Sequence, residues 1–508
     1  MKWSNDTLLS HSDTLLRLRY GAGKYGVGNG VEIEYSAQDE LLPMSLLGAD
    51  IPTLFPYTGI GNLVVPPQRS RPRLEVQAAT LLQSVNTNKP WEEEWVAFWR
   101  DHFSLYGFEQ QVGAYLPHWD REVIRRYCWG NFQDMLEASA SHPSMLVYLN
   151  NRSSRAGSAN ENFARELFEL HTLGRNAYLN NLYAQWRSVP GANQGKPQGY
   201  IDQDVYEAAR AFTGWSIEDG AGIGGGQTLA KTGKFIYVSG WHDQYQKRIL
   251  ATEFEPYAAA MSDGRKVLTL CANHPATAKH LSFKLVKRFV SDSPPADLVN
   301  STAQVFITQN KSPRQLELVF EHLVQQANKL PVKQKQKAKR PMRMIASFSK
   351  AVNLPFVLGD GSISTWPLEQ AGAPMYGWVS PEGPPDGLSW ILSASYIRQR
   401  ANLMQGVAEN WWGSGEWDPF AKLSNKLSFT DLLAHWEVAL YKQARPELSS
   451  ALLASQGIRP IEIVSDIRRA RRIVGLLACA PSFQTEVILP SPELLKQLKQ
   501  SAPEGLTS

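Results

Sequence analysis

The sequence lacks long apolar runs, has few cysteines and carries almost no excess charge of either sign. No window of the 508 residues holds the ~18 apolar residues that a transmembrane helix needs. The three cysteines are far apart, which excludes metal-type spacing and argues against a disulfide framework. Lys and Arg number 52 against 48 Asp and Glu, so the net charge is +4 and nucleic acid is not a predicted partner. The composition predicts a soluble protein of a reducing compartment.

The first residues do not form a secretory signal. Ser10, His11 and Asp13 interrupt the apolar residues near the N-terminus, where a signal needs an unbroken apolar stretch. We therefore predict a cytoplasmic location.

Tryptophan is abundant, with 16 residues among 508. Such rings line clefts that bind sugars or stack on bases, and they also fill protein cores. We expect most of them in the core, because large aromatic side chains are mostly buried.

The hydrophobic pattern predicts a mainly α protein, a multi-helix globular fold with long Gly/Pro-rich loops and a few short strands. Residues 1–90 form an irregular segment packed on the core, with one helix over Leu74 to Val85. Residues 91–330 form a helical core, and residues 331–508 form a C-terminal helical region of the same compact unit. Pro143 and Pro275 suit the first position of a helix. The Gly-rich residues 218–234 are predicted to form a mobile loop.

One helix is bracketed between Ser158 and Gly174. Ser158 with Glu161 three residues later is a capping box, and Gly174 is a typical C-terminal stop. At ~100° per residue, Asn162, Glu166 and Glu169 share one face, with Arg165 beside them and His171 on the opposite, apolar side.

The pair of glutamates on this helix can be interpreted in two ways, as a functional site or as a solvated surface. Glu166 and Glu169 can bind a divalent metal together, or act as a carboxylate pair whose repulsion raises one pKa. The alternative is a solvated helix face in which both glutamates pair with Arg165.

Histidines offer further candidates. His102 and His171 lie on apolar helix faces, where a hydrogen-bonded core histidine and a metal ligand are both open interpretations. His242 and Asp243 follow a short strand into a loop, where the aspartate could orient the imidazole or both could bind metal. Neither a nucleophile elbow nor a dinucleotide-binding glycine pattern is present.

These motifs resemble a bacterial family catalogued as domain of unknown function 1800. The most specific likeness is the run from Asn160 to Gly174. Flanking likenesses, in order, are Leu15-Leu16-Arg17 with Tyr20-Gly21, Trp99 with His102-Phe103, His142-Pro143 with Tyr148-Leu149, Asp204-Val205 with Arg210 and Thr213-Gly214-Trp215, His242-Asp243, His274-Pro275, Lys284-Leu285, Gly377-Trp378 with Trp390 and Arg400, and Leu476-Leu477-Ala478 with Pro481.

The resemblance has functional implications but supplies no reaction. It raises the expectation that Glu166, Glu169, His242 and Asp243 are functional, since family members repeat these residue types. Genes of the family often neighbour those of a sulfatase-like family, which implies a shared polymer substrate or a complex. The chain departs from the family pattern in an extra segment at residues 176–198 and in lacking the export signal that members commonly carry.

Two functions follow as hypotheses. The first is a hydrolase of saccharide polymers or a related small-molecule substrate. Its site would lie between the helix of the run from Asn160 to Gly174, here called the signature helix, and the His242-Asp243 loop. Its catalytic residues would be Glu166, Glu169, Arg165, His242 and Asp243, and its substrate-binding residues Asn162, Arg210, Trp215 and Trp241. Its metal, if it uses a divalent ion, would be bound by residues among Glu166, Glu169, His102, His171 and His242.

The second hypothesis is a non-catalytic helical scaffold, or a partner of a sulfatase-like protein, whose polar motifs are structural. A metal-dependent phosphohydrolase of the His-Asp kind ranks last, because the spacing between His171 and His242 does not fit it.

Overall fold

A computed structural model describes residues 23–27, 31–35, 45–355, 368, 371–372, 374–387, 393–413, 415–421, 423 and 427–500. Leu15-Leu16-Arg17, Tyr20-Gly21 and Trp390, which took part in the sequence comparison, lie outside these residues. No helix in the described ranges is both long enough and apolar enough to cross a bilayer.

Helices dominate the described ranges, which contain 19 α-helices. They are α1 Ile51–Leu54, α2 Arg71–Asn86, α3 Pro90–Phe103, α4 Gln110–Gly113, α5 Leu116–Trp119, α6 Phe132–Ala140, α7 Pro143–Tyr148, α8 Glu161–Glu166, α9 Asp202–Ala211, α10 Ser262–Ala272, α11 Pro275–Phe289, α12 Ala296–Thr308, α13 Gln315–Asn328, α14 Pro341–Ala351, α15 Ala394–Ala408, α16 Phe429–Tyr441, α17 Pro446–Ser455, α18 Ile467–Ala478 and α19 Pro492–Gln500. The segments Asp120–Arg125 and Leu167–His171 are π-helical. The mainly α prediction is confirmed.

The strands of the described ranges are short and pair in six two-stranded antiparallel sheets. They are β1 Gly23–Val27, β2 Val31–Tyr35, β3 Trp215–Asp219, β4 Gly222–Gly224, β5 Gln227–Thr228, β6 Lys231–Tyr237, β7 Lys247–Ile249, β8 Thr252–Phe254, β9 Lys337–Ala338, β10 Leu427–Ser428, β11 Ile463–Val464 and β12 Thr485–Glu486.

The Gly-rich residues 218–234 are not the loop that their composition predicts. β3 pairs with β6 and β4 pairs with β5, so the segment forms a β-ribbon. Its turn glycines Gly224, Gly225 and Gly226 have φ angles of 97°, 58° and 75°, a backbone conformation that other residues adopt at a cost.

Prolines open several helices, as the sequence predicts. Pro143 and Pro275 stand at the start of α7 and α11, each after a histidine in extended conformation. The Nδ1 atoms of His142 and His274 accept hydrogen bonds from the backbone N–H groups of Ser144 and Ala276. Both histidines therefore cap helices, because a free N–H of the first turn needs an acceptor.

Two large hydrophobic clusters fill the interior. The first spans residues between Val76 and Leu489 and includes most of α3 to α13. The second joins α14 to α18 with four residues of α2, namely Ala78, Leu81, Leu82 and Val85. Tryptophans mainly serve these clusters: Trp95, Trp99, Trp119 and Trp215 are fully buried.

Candidate functional site

The signature helix changes its hydrogen-bond pattern half-way along. α8 begins after Asn160, whose extended backbone and side-chain oxygen cap the N–H of Asn162 at 2.9 Å. The predicted cap at Ser158 is thus wrong by two residues. From Leu167 the chain continues as a π-helix to His171, and Gly174 follows with φ +86°. The wider π turn re-aims the side chains after Glu166, and such segments are frequent at functional sites.

The two glutamates of this helix have different surroundings. Glu169 accepts from Arg165 Nη1 and from Arg175 Nε, both at 3.3 Å. Glu166 is half-buried, and its Oε2 atom is buried without a hydrogen-bond partner among the described residues. Burial, and then the negative charge of Glu169, raise the pKa of Glu166 above its ordinary value. Glu166 therefore keeps its proton to a higher pH than an ordinary glutamate does.

Arg165 is held by carboxylates on three sides. Its guanidinium binds Glu161 at 2.7 Å, Glu169 at 3.3 Å and Asp202 of α9 at 3.3 Å. Asp202 also accepts from the hydroxyl of Tyr178 at 2.8 Å. A catalytic role of Arg165 must therefore compete with these three ion pairs.

Sequence reasoning missed three residues around the glutamate pair. Arg175 is 61% exposed and contacts Glu169 and, at 3.4 Å, Glu382. Burial, and then the charge of Glu166, raise the pKa of Tyr148, whose hydroxyl donates to the carbonyl of Val379 at 2.7 Å. A cation directly after the Gly174 stop was the one available signal for Arg175. Nothing local points to Glu382, which the fold brings from more than 200 positions away.

Asn162 lies at the start of α8, near the end of α7. Its side-chain amide donates to the carbonyl of Leu149 at 3.4 Å, and its side chain is exposed. This contact ties the signature helix to the segment that carries Tyr148.

His242 and Asp243 belong to a separate, internally paired group. Arg210 binds Asp243 through Nε at 2.8 Å and Nη2 at 3.0 Å, and Asp243 N donates to the Thr213 hydroxyl. These bonds tie the loop to the last turn of α9.

The imidazole of His242 is equally enclosed. His242 Nδ1 lies 2.8 Å from the carbonyl oxygen of Thr213, and Nε2 lies 3.3 Å from Asp263 Oδ2. The buried Lys247 also donates to Asp263, at 2.7 Å. Both ring nitrogens thus have protein partners, and the ring is 8% exposed.

The predicted stacking residues lie in the interior rather than on a cleft wall. Trp215 is fully buried between Phe212 and Phe235, with ring centroids at 5.3 Å and 5.4 Å. The ring of Trp241 is covered by the guanidinium of Arg155 at 3.7 Å. Neither indole offers a free face to a sugar, because core packing and a cation already occupy those faces.

His102 and His171 lie in a third group, together with Lys284 of α11. His102 Nε2 donates to the carbonyl of His171 at 3.1 Å, and its Nδ1 accepts from Lys284 Nζ at 2.9 Å. Burial lowers the pKa of His171 to about 3 and that of Lys284 to about 8. The Nε2 atom of His171 is buried without a partner among the described residues.

The candidate residues thus form separate groups instead of one site. In the described part of the chain, no hydrogen bond or ion pair joins Glu166 or Glu169 to His242 or Asp243. Helix α9 lies between them, contacting Arg165 through Asp202 and Asp243 through Arg210. Asp202 and Arg210 are eight positions apart on this helix, which corresponds to ~12 Å along its axis. Within the same ranges, no three His, Cys, Asp or Glu side chains converge in a way that could hold a metal ion.

Comparison with known proteins identifies the family. The family model described as "Protein of unknown function (DUF1800)" matches residues 31–485. The chain belongs to this family. The match covers the signature helix, the His242 loop and both hydrophobic clusters except Leu489 of the first, so all three polar groups lie within the DUF1800 region. No curated protein and no solved structure matches the chain.

Proposed function

We propose that the protein is a hydrolase in which Glu166 donates a proton to the leaving group. The observation that carries this proposal is the buried Oε2 of Glu166, which has no hydrogen-bond partner among the described residues and lies on the same helix as a second carboxylate. Carboxyl groups with unequal environments are how enzymes separate an acid from a base at one pH. Glu169 is the second carboxylate, and it pairs with Arg165 and Arg175.

Glycosidic bonds are the substrate class that this pair fits best. Their hydrolysis uses one protonated carboxyl as acid and a second carboxylate as base or nucleophile. The exposed Arg175 is suited to orient an anionic or hydroxylated substituent. The support is thus the carboxylate pair and not the tryptophans, because Trp215 and Trp241 are enclosed.

His242 and Asp243 have a structural role in this proposal. Their polar atoms bind Thr213, Arg210 and Asp263, so a catalytic role would require these bonds to break. The three cysteines are free thiols, which supports a reducing cytoplasm as the location.

The test compares Glu166→Gln with the wild type on chromogenic glycosides and soluble polysaccharides. Glu166→Gln removes the proton donor with little change in shape and should lower kcat by about 10² to 10⁴. Glu161→Gln, on the same helix and also in contact with Arg165, is the matched control and should stay within a few-fold of wild type. Parallel assays with EDTA show whether hydrolysis needs a divalent metal.

The pH profile supplies a second readout. A general acid works only when protonated, so the wild-type rate should fall as the pH rises through the pKa of Glu166. Full activity of Glu166→Gln would refute the acid role. If no substrate is cleaved, infrared difference spectroscopy of wild type against Glu166→Gln still tests the protonated carboxyl, and its absence near neutral pH would count against the proposal.

A second candidate function is a helical scaffold that partners a sulfatase-like protein. The enclosed network of His242, Asp263 and Lys247 favours it, since such networks hold a fold without doing chemistry. A scaffold should co-elute stably with the sulfatase-like protein, and Glu166→Gln should leave this co-elution unchanged. The wild type should then show no hydrolysis.

A further inference from the structure

A large cleft has walls that include neither Glu166 nor Glu169. Its volume is about 940 Å³, which is in the range of small-molecule sites. One wall is the extra segment, through Asn176 and residues 195–198, and the other is the first half of α11. None of the carboxylates of the proposed hydrolase centre lines it.

The walls are fixed to each other by a buried side chain. His274 is 7% exposed and caps α11 through Nδ1, while its Nε2 lies 2.9 Å from the carbonyl oxygen of Pro197. Because Nδ1 accepts the N–H of Ala276, Nε2 carries the proton and donates to Pro197. The extra segment is thereby held against the helix, and the cleft has a formed shape.

The lining of the cleft combines apolar surface with cations. Its apolar side chains include Leu173, Leu250, Leu270, Val299 and Phe283, and the last of these is 45% exposed to solvent. An exposed phenyl ring inside a concave surface leaves apolar area that a ligand can cover. The apolar side chains therefore suit the body of an organic molecule.

The charge of the lining has one sign. Lys196 and Lys279 line the cleft, and no Asp or Glu occurs among the described residues that do so. Neither lysine makes an ion pair within the described ranges, and both side chains are exposed. Pro275 and Ala276 at the start of α11 also line the cleft, so the positive end of this helix dipole lies beside it.

We propose that this cleft binds an organic anion with an apolar body. Lys196 and Lys279 hold the carboxylate, sulfonate or phosphate, and the apolar side chains around Phe283 cover the body. The proposal does not rest on the proposed hydrolase centre, because neither Glu166 nor Glu169 lines the cleft.

The test uses two fluorescent probes of similar shape and different charge. Anilinonaphthalene sulfonate is anionic, and N-phenyl-1-naphthylamine is its neutral counterpart. Wild type should bind the anion saturably and more tightly than the neutral probe. The double variant Lys196→Glu with Lys279→Glu should lower the affinity for the anionic probe about tenfold or more. Its affinity for the neutral probe should stay within a few-fold of wild type.

The control carries the same charge change elsewhere. Lys311→Glu with Lys329→Glu alters two exposed lysines outside the cleft and should bind both probes as wild type does. Ala276→Trp places a large side chain in the cleft and should lower the affinity for both probes. Circular dichroism of each variant establishes that it is folded.

Three results would overturn the proposal. They are equal affinity of wild type for both probes, equal loss in the cleft and control double variants, and unchanged binding in Ala276→Trp. The first removes charge recognition, the second shows that only net charge acts, and the third places the probe elsewhere. None of them bears on the hydrolase test, since Glu166 is intact throughout.

Discussion

At the scale of a single residue, Lys284 shows how burial sets chemistry. Its ammonium donates to Nδ1 of His102, and the aspartates that oppose the effect, Asp386 and Asp101, act on it only from a distance. Burial therefore prevails, and the pKa of Lys284 falls to about 8. The unfolded chain holds the same proton to a pKa of about 10.4.

Lys284→Met should change how stability depends on pH. Between about pH 8 and 10 the unfolded wild type binds more protons than the folded one, so Lys284 makes the free energy of unfolding rise with pH. This contribution, roughly 3 kcal/mol at most, should vanish in the variant. Urea unfolding at pH 7, 8.5 and 10 measures it, with Lys287→Met on the same helix as control. An undiminished rise in Lys284→Met would contradict the prediction.

Single residues also mark where sequence reasoning stops. The apolar environment of His171 follows from helical periodicity, and the structure buries it at 3% exposure. Trp215 could not be distinguished from a cleft residue, because an indole in a core and one in a sugar site have the same sequence signature. The packing of Phe212, Phe235 and Gly264 around the indole shows that Trp215 is a core residue.

At the scale of an element, the cap of α8 positions the glutamate pair. Asn160 accepts from Asn162 N and donates from Nδ2 to the carbonyl of Asn150 at 2.8 Å. It thus fixes both the start of the helix and its attachment to the preceding turn.

Removing this cap should destabilise the protein. Asn160→Ala loses both bonds and should cost about 1 to 2 kcal/mol in the free energy of unfolding. Asn160→Asp keeps the cap acceptor and loses only the donor, so its cost should be smaller. Thermal and urea unfolding compare the two, and equal losses would show that the cap itself contributes little.

The sequence predicts the helix starts that proline marks, but neither the start nor the course of the signature helix. Proline at the first position reveals α7 and α11, since its missing N–H has no partner there. The residues of the π segment Leu167–His171 are ordinary helix formers, so nothing in their sequence predicts the wider turn. Just after the segment, the hydroxyl of Thr172 donates to the carbonyl of Leu167 at 2.5 Å. Likewise, distant strand pairing makes a ribbon of residues 218–234, where composition indicates only a loop.

At the scale of the whole molecule, an ionic cluster joins helices from both hydrophobic clusters. Arg288 of α11 and Arg340, just before α14, share the same two carboxylates, Asp101 and Asp386. Arg288 is 2% exposed and also binds Glu94 at 3.5 Å. Removing one carboxylate leaves this buried positive charge only partly compensated.

Asp386→Ala should therefore be strongly destabilising, by about 3 kcal/mol. Because the cluster is screened little by solvent, the loss should persist at high salt. The control is Glu317→Gln, which weakens the surface pair with Arg314 and should change stability by less than about 1 kcal/mol. Urea unfolding at low and high salt distinguishes the two, and similar small losses would refute a stabilising role for the cluster.

The membership of α2 in the second hydrophobic cluster has a consequence for synthesis on the ribosome. About 250 residues separate the end of α2 at Asn86 from α14 at Pro341. At roughly 10 residues per second, the apolar face of α2 waits tens of seconds for the helices that cover it. During translation this face therefore stays uncovered, and a chaperone could bind it, until the late helices emerge.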